Sequence, residues 1–125
     1  MARFLTRLVA SKVAEARGPF GRATWILEAP MIFYSDVAHR AIAVPVGFTT
    51  DFASVPRLPL AFTIAGDIGH KSATVHDYLC RTRIMTRALA DKVFREALEV
   101  EGVPAWRRAI MYAGVRVGSW FDGRK

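Results

Sequence analysis

The sequence has little cysteine and no long apolar run. Its 125 residues include a single cysteine, Cys80, which excludes an internal disulfide and suits a reducing compartment. The longest nearly unbroken apolar stretches, 41–48 and 109–115, are far shorter than the ~20 residues that a bilayer-spanning helix needs. The first ten residues superficially resemble a targeting peptide, but Arg7 interrupts their apolar run. We therefore expect neither a signal peptide nor a transmembrane segment.

Several catalytic signatures are also missing. The sequence contains no Gly-x-Ser-x-Gly elbow, no His-Glu-x-x-His zinc motif and no phosphate-binding loop. Metal-dependent phosphohydrolases of the His-Asp type need a further His and a further Asp on separate helices of an all-helical domain. Here His70 lies close before His76 and the first half of the chain favours strands, so we exclude that class. No repeat or linker divides residues 1–125, which we interpret as a single domain.

The chain is basic, with 18 Lys and Arg against 11 Asp and Glu and a net charge of +7. Positive charge attracts nucleic acids through counterion release. The basic residues are scattered, however, and do not alternate with aromatic residues, so we disfavour nucleic-acid binding. An acidic partner surface explains the charge equally well. The apolar fraction of 52% is ample for one packed core.

Short β-prone runs fill the chain up to about residue 65. The predicted strands are 23–28, 31–35 and 41–46. Gly18-Pro19 and Gly21 are predicted to turn an earlier strand into the first of these. The opening segment 4–16 fits either a helix, by the spacing of its apolar residues, or an edge strand.

Helical spacing follows residue 65. Segment 70–81 is predicted to form a short helix, and Thr86 is the predicted N-cap of a longer one that stops at Gly102. Pro104 suits the first turn of a third helix that reaches about Gly118. The fold class is therefore predicted as α+β, with a small antiparallel sheet in the N-terminal half packed against about three helices in the C-terminal half.

The spacing also predicts which helix residues face inward. Asp91 and Arg95, four residues apart, are expected on the surface of the second helix. Four residues of the third helix are predicted to face the core: Trp106, Ile110, Met111 and Val115. Trp120 and Phe121 are expected to close the core as a lid.

The first candidate site is the stretch 44–57, in which Asp51 and Ser54 lie among hydroxyl and large apolar residues. Such a loop can hold polar groups rigidly at a surface. Asp and Ser in a loop also commonly cap the next turn by accepting backbone N–H bonds, so a purely structural role is the alternative.

The second candidate is the adjacent pair His76 and Asp77. The two side chains can ligate a divalent metal, or act as a general base and the group that orients it. The alternative is a histidine that packs against the sheet and hydrogen-bonds a loop carboxylate such as Asp51. Cys80 lies one turn beyond His76, and we interpret it as a buried apolar residue rather than a nucleophile.

The order of these motifs is that of a known family. The stretch Val44-Pro-Val-Gly-Phe-Thr-Thr-Asp-Phe-Ala-Ser-Val-Pro-Arg57 precedes His76-Asp-Tyr-Leu79, and both precede Asp91-x-x-Phe94, Val103-Pro-Ala-Trp-Arg107 and Met111-Tyr112. Over roughly residues 23–120 the chain resembles the DUF1353 family, a domain of unknown function common in tailed phages and prophages. The family's signature polar positions map to Asp51, Ser54, His76, Asp77 and Asp91. Cys80 departs from the pattern, which has an aromatic residue there.

The resemblance implies a phage or prophage origin and a place in the bacterial host cytoplasm or the virion. One hypothesis is a metal-dependent hydrolase that cleaves a cell-wall amide or another host substrate. Its catalytic residues would be Asp51, Ser54, His76 and Asp77. Its metal ligands would be Asp51, His76, Asp77 and Asp91. Zn²⁺ is the candidate ion, because it lowers the pKa of a bound water to ~7.

The alternative hypothesis is a non-enzymatic virion component, of the head or the tail, or a host-interaction module. The same residues would then form a hydrogen-bonded staple between the loop and the first helix, since buried polar groups need partners. Other phage proteins or an acidic host surface would be the partners.

Overall fold

A computed structural model describes residues 1–15, 23–51, 69–121 and 123 of the chain. In this part of the chain strands precede helices, which confirms the α+β class. The strands are β1 (Arg3–Phe4), β2 (Ala10–Ala14), β3 (Thr24–Leu27), β4 (Met31–Ser35), β5 (Arg40–Val44) and β6 (Thr49–Thr50). The helices are α1 (His70–Thr82), α2 (Arg87–Val100) and α3 (Ala105–Phe121). The predicted turn at Gly18-Pro19 and Gly21, and the predicted site residue Ser54, lie outside the described residues.

The strands form two antiparallel sheets of three strands each, not the one small sheet that the sequence predicted. The first has the order β1-β4-β5 and the second the order β2-β3-β6. The consecutive strands β3 and β4 lie in different sheets because β3 pairs with β6, placing Trp25 opposite Thr50. Local β propensity predicts strands but not their partners, so this division depends on tertiary structure.

The opening segment forms β1 and β2, so its edge-strand alternative is correct and the helical one is wrong. Burial alternates strictly between exposed and half-buried over residues 1–10. Phe4 and Leu8 pack against the core, whereas Leu5 and Val9 are exposed. That alternation is the period of a strand with one face on the core.

The core lies between the β1-β4-β5 sheet and the helices. Alternate residues of β4, and of β5 from Ile42 onward, are buried, among them Met31, Phe33, Ile42 and Val44. They pack against Val75 and Leu79 of α1 and against Ala90, Val93 and Ala97 of α2. A second apolar cluster joins the three helices through Ala73, Phe94, Leu98, Met111 and Val115.

The predicted helix ends are close to those observed. Thr86 caps α2 and accepts a hydrogen bond from the backbone N–H of Leu89 at 3.2 Å. Gly102 follows α2 with φ of 86°, a left-handed conformation that glycine adopts without strain. No helix within the described ranges combines the length and apolarity needed to cross a membrane.

Three expectations about helix faces are wrong. Asp91 is completely buried instead of lying at the surface. On α3 the buried stripe is Met111, Val115 and Ser119, while Trp106 and Ile110 are exposed. Trp120 and Phe121 are also exposed and do not cover the core. The two errors on α3 have one cause: this helix is apolar on more than one side, so spacing alone cannot identify the side that packs.

Candidate functional site at the helix junction

The structure brings His76 of α1 against Asp91 of α2 in the interior. The two helices run side by side because Val75 and Leu79 of α1 and Val93 of α2 share one apolar cluster. His76 is 3% exposed and Asp91 0% exposed. The ring Nε2 of His76 lies 2.5 Å from Oδ1 of Asp91, and the ring packs against Phe94 at a centroid distance of 4.9 Å. A carboxylate only accepts hydrogen bonds, so Nε2–H is the donor.

Two arginines complete the surroundings of this carboxylate. Arg87, one turn before Asp91 on α2, donates from Nε to Oδ1 at 2.9 Å. Arg116 of α3 donates from Nη1 to Oδ2 at 2.8 Å. Arg87 also donates from Nη2 to the backbone carbonyl of Val115 at 3.2 Å. The Asp91 cluster, meaning His76, Arg87, Asp91 and Arg116, therefore joins all three helices through one buried charge.

The environment of Asp91 keeps it ionised. Burial by itself would raise the pKa of its carboxyl group, because the charged form loses its hydration. The hydrogen bonds from His76 and Arg87 outweigh that effect and hold the pKa of Asp91 below its ordinary value. At neutral pH the centre of the junction is thus an anion with charged donors on both of its oxygens.

Asp77, the residue next to His76, lies on a different face of α1 and has a different partner. Arg81, one turn further on, donates to both oxygens of Asp77, at 3.1 Å and 2.7 Å. The same guanidinium donates to the backbone carbonyl of Thr49 and stacks over the Phe48 ring at 4.4 Å. The hydrogen bond with Asp77 is the main reason why the pKa of Arg81 is raised, and Asp51 adds to that effect.

The predicted site residues His76, Asp77, Asp51 and Asp91 therefore do not share one set of contacts. His76 and Asp91 meet in the interior, and Asp77 pairs with Arg81 near the end of β6. Asp51 is exposed and acts on Arg81 through its charge. The structural alternative for His76 anticipated a loop carboxylate such as Asp51 as the partner, whereas the carboxylate observed beside it is Asp91 of the next helix.

Within the described part of the chain, one group of three side chains could hold a metal ion: His76, Cys80 and Asp91. Their donor atoms lie within 4.8 Å of one another, and Sγ of Cys80 is 3.5 Å from Nε2 of His76. Both oxygens of Asp91 already accept hydrogen bonds from guanidinium groups. A divalent cation there would lie beside two permanent positive charges, so these donors suit a metal poorly.

Two further carboxylates, one on α2 and one just past its end, hold other elements in place. Glu96 accepts hydrogen bonds from the Ser35 hydroxyl at 2.6 Å and from the backbone N–H groups of Asp36 and Val37, each at 3.0 Å. Glu101, just past the helix, accepts from both the backbone N–H and the hydroxyl of Ser72 in the first turn of α1. Helix α2 and the residue that follows it thus contact the neighbouring elements through polar side chains as well as apolar ones.

Sequence reasoning missed both arginines of the Asp91 cluster. Arg87 lies four residues before Asp91, and this helical spacing could have indicated the pair. Arg116 lies 25 residues further along the chain, and no local pattern links it to Asp91.

The fold and the junction define a small α+β domain in which the three helices of the described residues meet around a buried carboxylate. Residues 25–115 match the family described as protein of unknown function, DUF1353, and this chain belongs to that family. The match includes Asp51 and three residues of the Asp91 cluster, His76, Arg87 and Asp91, whereas Arg116 lies one residue beyond its end. Comparisons with curated proteins and with solved structures gave no match.

Proposed function

We propose that this protein acts by binding other macromolecules and not by catalysis, as a non-enzymatic virion component or a host-interaction module. The main observation in its support is that both carboxylate oxygens of Asp91 already accept hydrogen bonds from within the protein. Its two oxygens accept hydrogen bonds from His76, Arg87 and Arg116 inside the helix junction. A carboxylate with all these partners serves as a structural centre, because each bond is already made within the protein.

The position of His76 supports the same conclusion. A general base must come within hydrogen-bond distance of the proton that it removes from a substrate. The His76 side chain is almost completely buried, and its Nε2 is engaged with Asp91. The pair of His76 and Asp91 therefore fits the role of a structural staple. Buried charged networks are known to favour one arrangement of the helices that they join. This staple joins helix to helix, whereas the sequence suggested one between loop and helix.

The proposed partner is acidic. The net charge of +7 favours association with a negatively charged surface, such as that of another phage protein or of the bacterial host. The phage setting comes from the resemblance noted in the sequence, and a place in the head or tail of the particle is part of the proposal. If it is correct, mass spectrometry of purified particles from the induced source host should detect this chain.

A metal-dependent hydrolase is the second candidate, and one observation favours it. His76, Cys80 and Asp91 present three donor atoms of types that Zn²⁺ accepts, within 4.8 Å of one another. Under this hypothesis the metal would displace the arginines from Asp91, and the hydrolysed substrate would be a cell-wall amide or another host molecule.

Metal content and thermal stability, measured together, distinguish the two candidates. The purified protein and the variants His76→Ala and Cys80→Ser would be analysed by plasma mass spectrometry and by thermal unfolding. Our proposal expects no stoichiometric metal, a strongly lowered melting temperature for His76→Ala, and a small change for Cys80→Ser. Stoichiometric zinc in the wild type, lost in both variants while they stay folded, would establish the metal site and overturn the proposal.

A further inference from the structure

The outward face of α3 is entirely apolar. Its exposed residues, which we call the α3 face, are Ala105, Trp106, Ala109, Ile110, Ala113, Gly114, Val117, Trp120 and Phe121. None of them carries a charge or a polar side chain. A surface helix normally places charged and polar residues on the side away from the core, so this face has the composition of a covered surface.

The charged residues of α3 lie beside this face and are already engaged. Arg116 binds Asp91, and Arg108 donates from Nη1 to the backbone carbonyl of Val103 at 2.9 Å. Arg107 stacks against the ring of Trp106 at 5.1 Å. Among the described residues of α3, therefore, no positive charge points outward from the centre of the face to repel a second basic chain.

The area of the face is large enough for a stable interface. Trp106, Trp120 and Phe121 are 51%, 66% and 80% exposed. With 150–250 Å² per aromatic side chain, these three expose about 450 Å². Ile110, Val117 and the small residues raise the total to about 700 Å², which exceeds the largest apolar patch of a typical monomer. Two such faces would bury about 1,400 Å², within the range of specific protein interfaces.

The spacing of the residues on the α3 face indicates which partner covers it. The residues Trp106, Ile110, Ala113, Val117 and Trp120 follow intervals of four, three, four and three, the spacing of a helix–helix seam. The pattern is also nearly symmetric about Ala113, since a tryptophan lies seven residues away on each side. Two antiparallel copies with Trp106 of one opposite Trp120 of the other would bring Ile110 to within one residue, about 1.5 Å along the helix axis, of the position opposite Val117. Such mutual pairing is the property of a two-fold interface.

Gly114 gives independent support. Glycine is a poor helix former, and yet it lies in the middle of α3. A Cβ atom added there would meet no atom of the described residues within 4 Å, so packing among those residues does not require glycine. Together with Ala109 and Ala113 it forms a flat central strip that lets a second helix backbone approach closely, as small residues do where helices cross.

We propose that the α3 face is the contact surface of a homodimer, in which α3 packs antiparallel against α3 of a second copy across a two-fold axis near Ala113. A helix that lies on a membrane surface would share the tryptophans but would have no use for the symmetric spacing or the small central residues. The dimer does not depend on the role proposed for the Asp91 cluster, because none of its contact residues belongs to that cluster.

The first test is the molar mass of the protein in solution. Sedimentation velocity would compare the wild type with Val117→Glu and with the matched control Val46→Glu. Val117 and Val46 are 55% and 58% exposed, so neither change disturbs the core. We expect a dimer for the wild type and the control, and a monomer with an unchanged circular dichroism spectrum for Val117→Glu. A monomeric wild type, or a Val117→Glu variant that remains a dimer, would overturn the proposal.

A pair of cysteine variants tests the antiparallel geometry. In the proposed dimer the two copies of residue 113 face each other, whereas the two copies of residue 105 lie about 24 Å apart, sixteen residues at 1.5 Å each. A disulfide needs Cα atoms within about 7 Å. Oxidation should therefore link Ala113→Cys into a covalent dimer and leave Ala105→Cys unlinked, with the wild type as the control for Cys80. Equal linkage of both variants would refute the antiparallel arrangement.

Cosedimentation with vesicles of phosphatidylglycerol and phosphatidylcholine tests the alternative that the α3 face binds a membrane surface. Binding of a monomeric wild type that Val117→Glu abolishes would identify the face as a membrane contact and would overturn the dimer. We expect the dimeric protein to show no binding that depends on Val117.

Discussion

Replacing Asp91 with Asn tests the central role of the Asp91 cluster. The substitution preserves the size of the side chain but removes its charge, so the buried ion pair between Arg87 and Asp91 is lost. Removing one partner from a buried ion pair costs about 3–5 kcal/mol. A domain of this size has a free energy of unfolding of about 5–15 kcal/mol. The change should therefore remove about a fifth of the stability or more.

Asp77→Asn is the matched control, because Asp77 has the same charge and also an i,i+4 arginine partner. The pair with Arg81 is at the surface, where the arginine side chain is 48% exposed. Exposed pairs contribute about 0–1 kcal/mol, since water already solvates both charges. The two substitutions are thus chemically identical and differ in burial.

Urea unfolding followed by circular dichroism measures the difference. With a slope of about 2 kcal/mol per molar urea, a loss of 4 kcal/mol lowers the midpoint by about 2 M. Asp77→Asn should lower it by less than about 0.5 M. If Asp91→Asn is no more destabilising than Asp77→Asn, Asp91 is not the centre that holds the helices together.

The pH dependence gives an independent check with a definite sign. The pKa of Asp91 is lower in the folded protein than its ordinary value, so folding favours the ionised form. The stability that this provides is fully present above the unfolded pKa of about 3.9 and is lost as the pH falls through the lower folded pKa. The stability advantage of the wild type over Asp91→Asn should therefore shrink on acidification. An advantage that is equal at neutral and strongly acidic pH would contradict this account.

Three further substitutions test the surrounding structure. Thr86→Ala removes the cap of α2 and should cost about 1 kcal/mol in urea unfolding, with Thr86→Ser close to the wild type. Phe33→Ala empties a completely buried position and should cost about 3–5 kcal/mol; a cost under 1 kcal/mol would show that Phe33 is not in the core. Glu96→Gln weakens the bonds to the turn after β4, so hydrogen exchange at the Asp36 and Val37 amides should accelerate, while unchanged exchange would refute that role.

The sequence by itself determined the local structure. Aromatic and β-branched residues predicted strand 31–35 with the bounds that β4 has, and Thr86 and Gly102 marked the ends of α2. These signals can be read locally because they depend on neighbouring residues, on capping hydrogen bonds and on the backbone freedom of glycine. The sequence also singled out His76 and Asp91, although it placed Asp91 at the surface.

Only the tertiary structure decided how these parts combine. The bond between Arg116 and Asp91 joins residues 25 positions apart, and the division into two sheets depends on β3 pairing with β6. On α3 the apolar residues extend around most of the helix, so their spacing could not show that Met111 faces inward and Trp106 outward. Burial and partner choice result from the packing of distant segments, and a linear pattern does not contain that information.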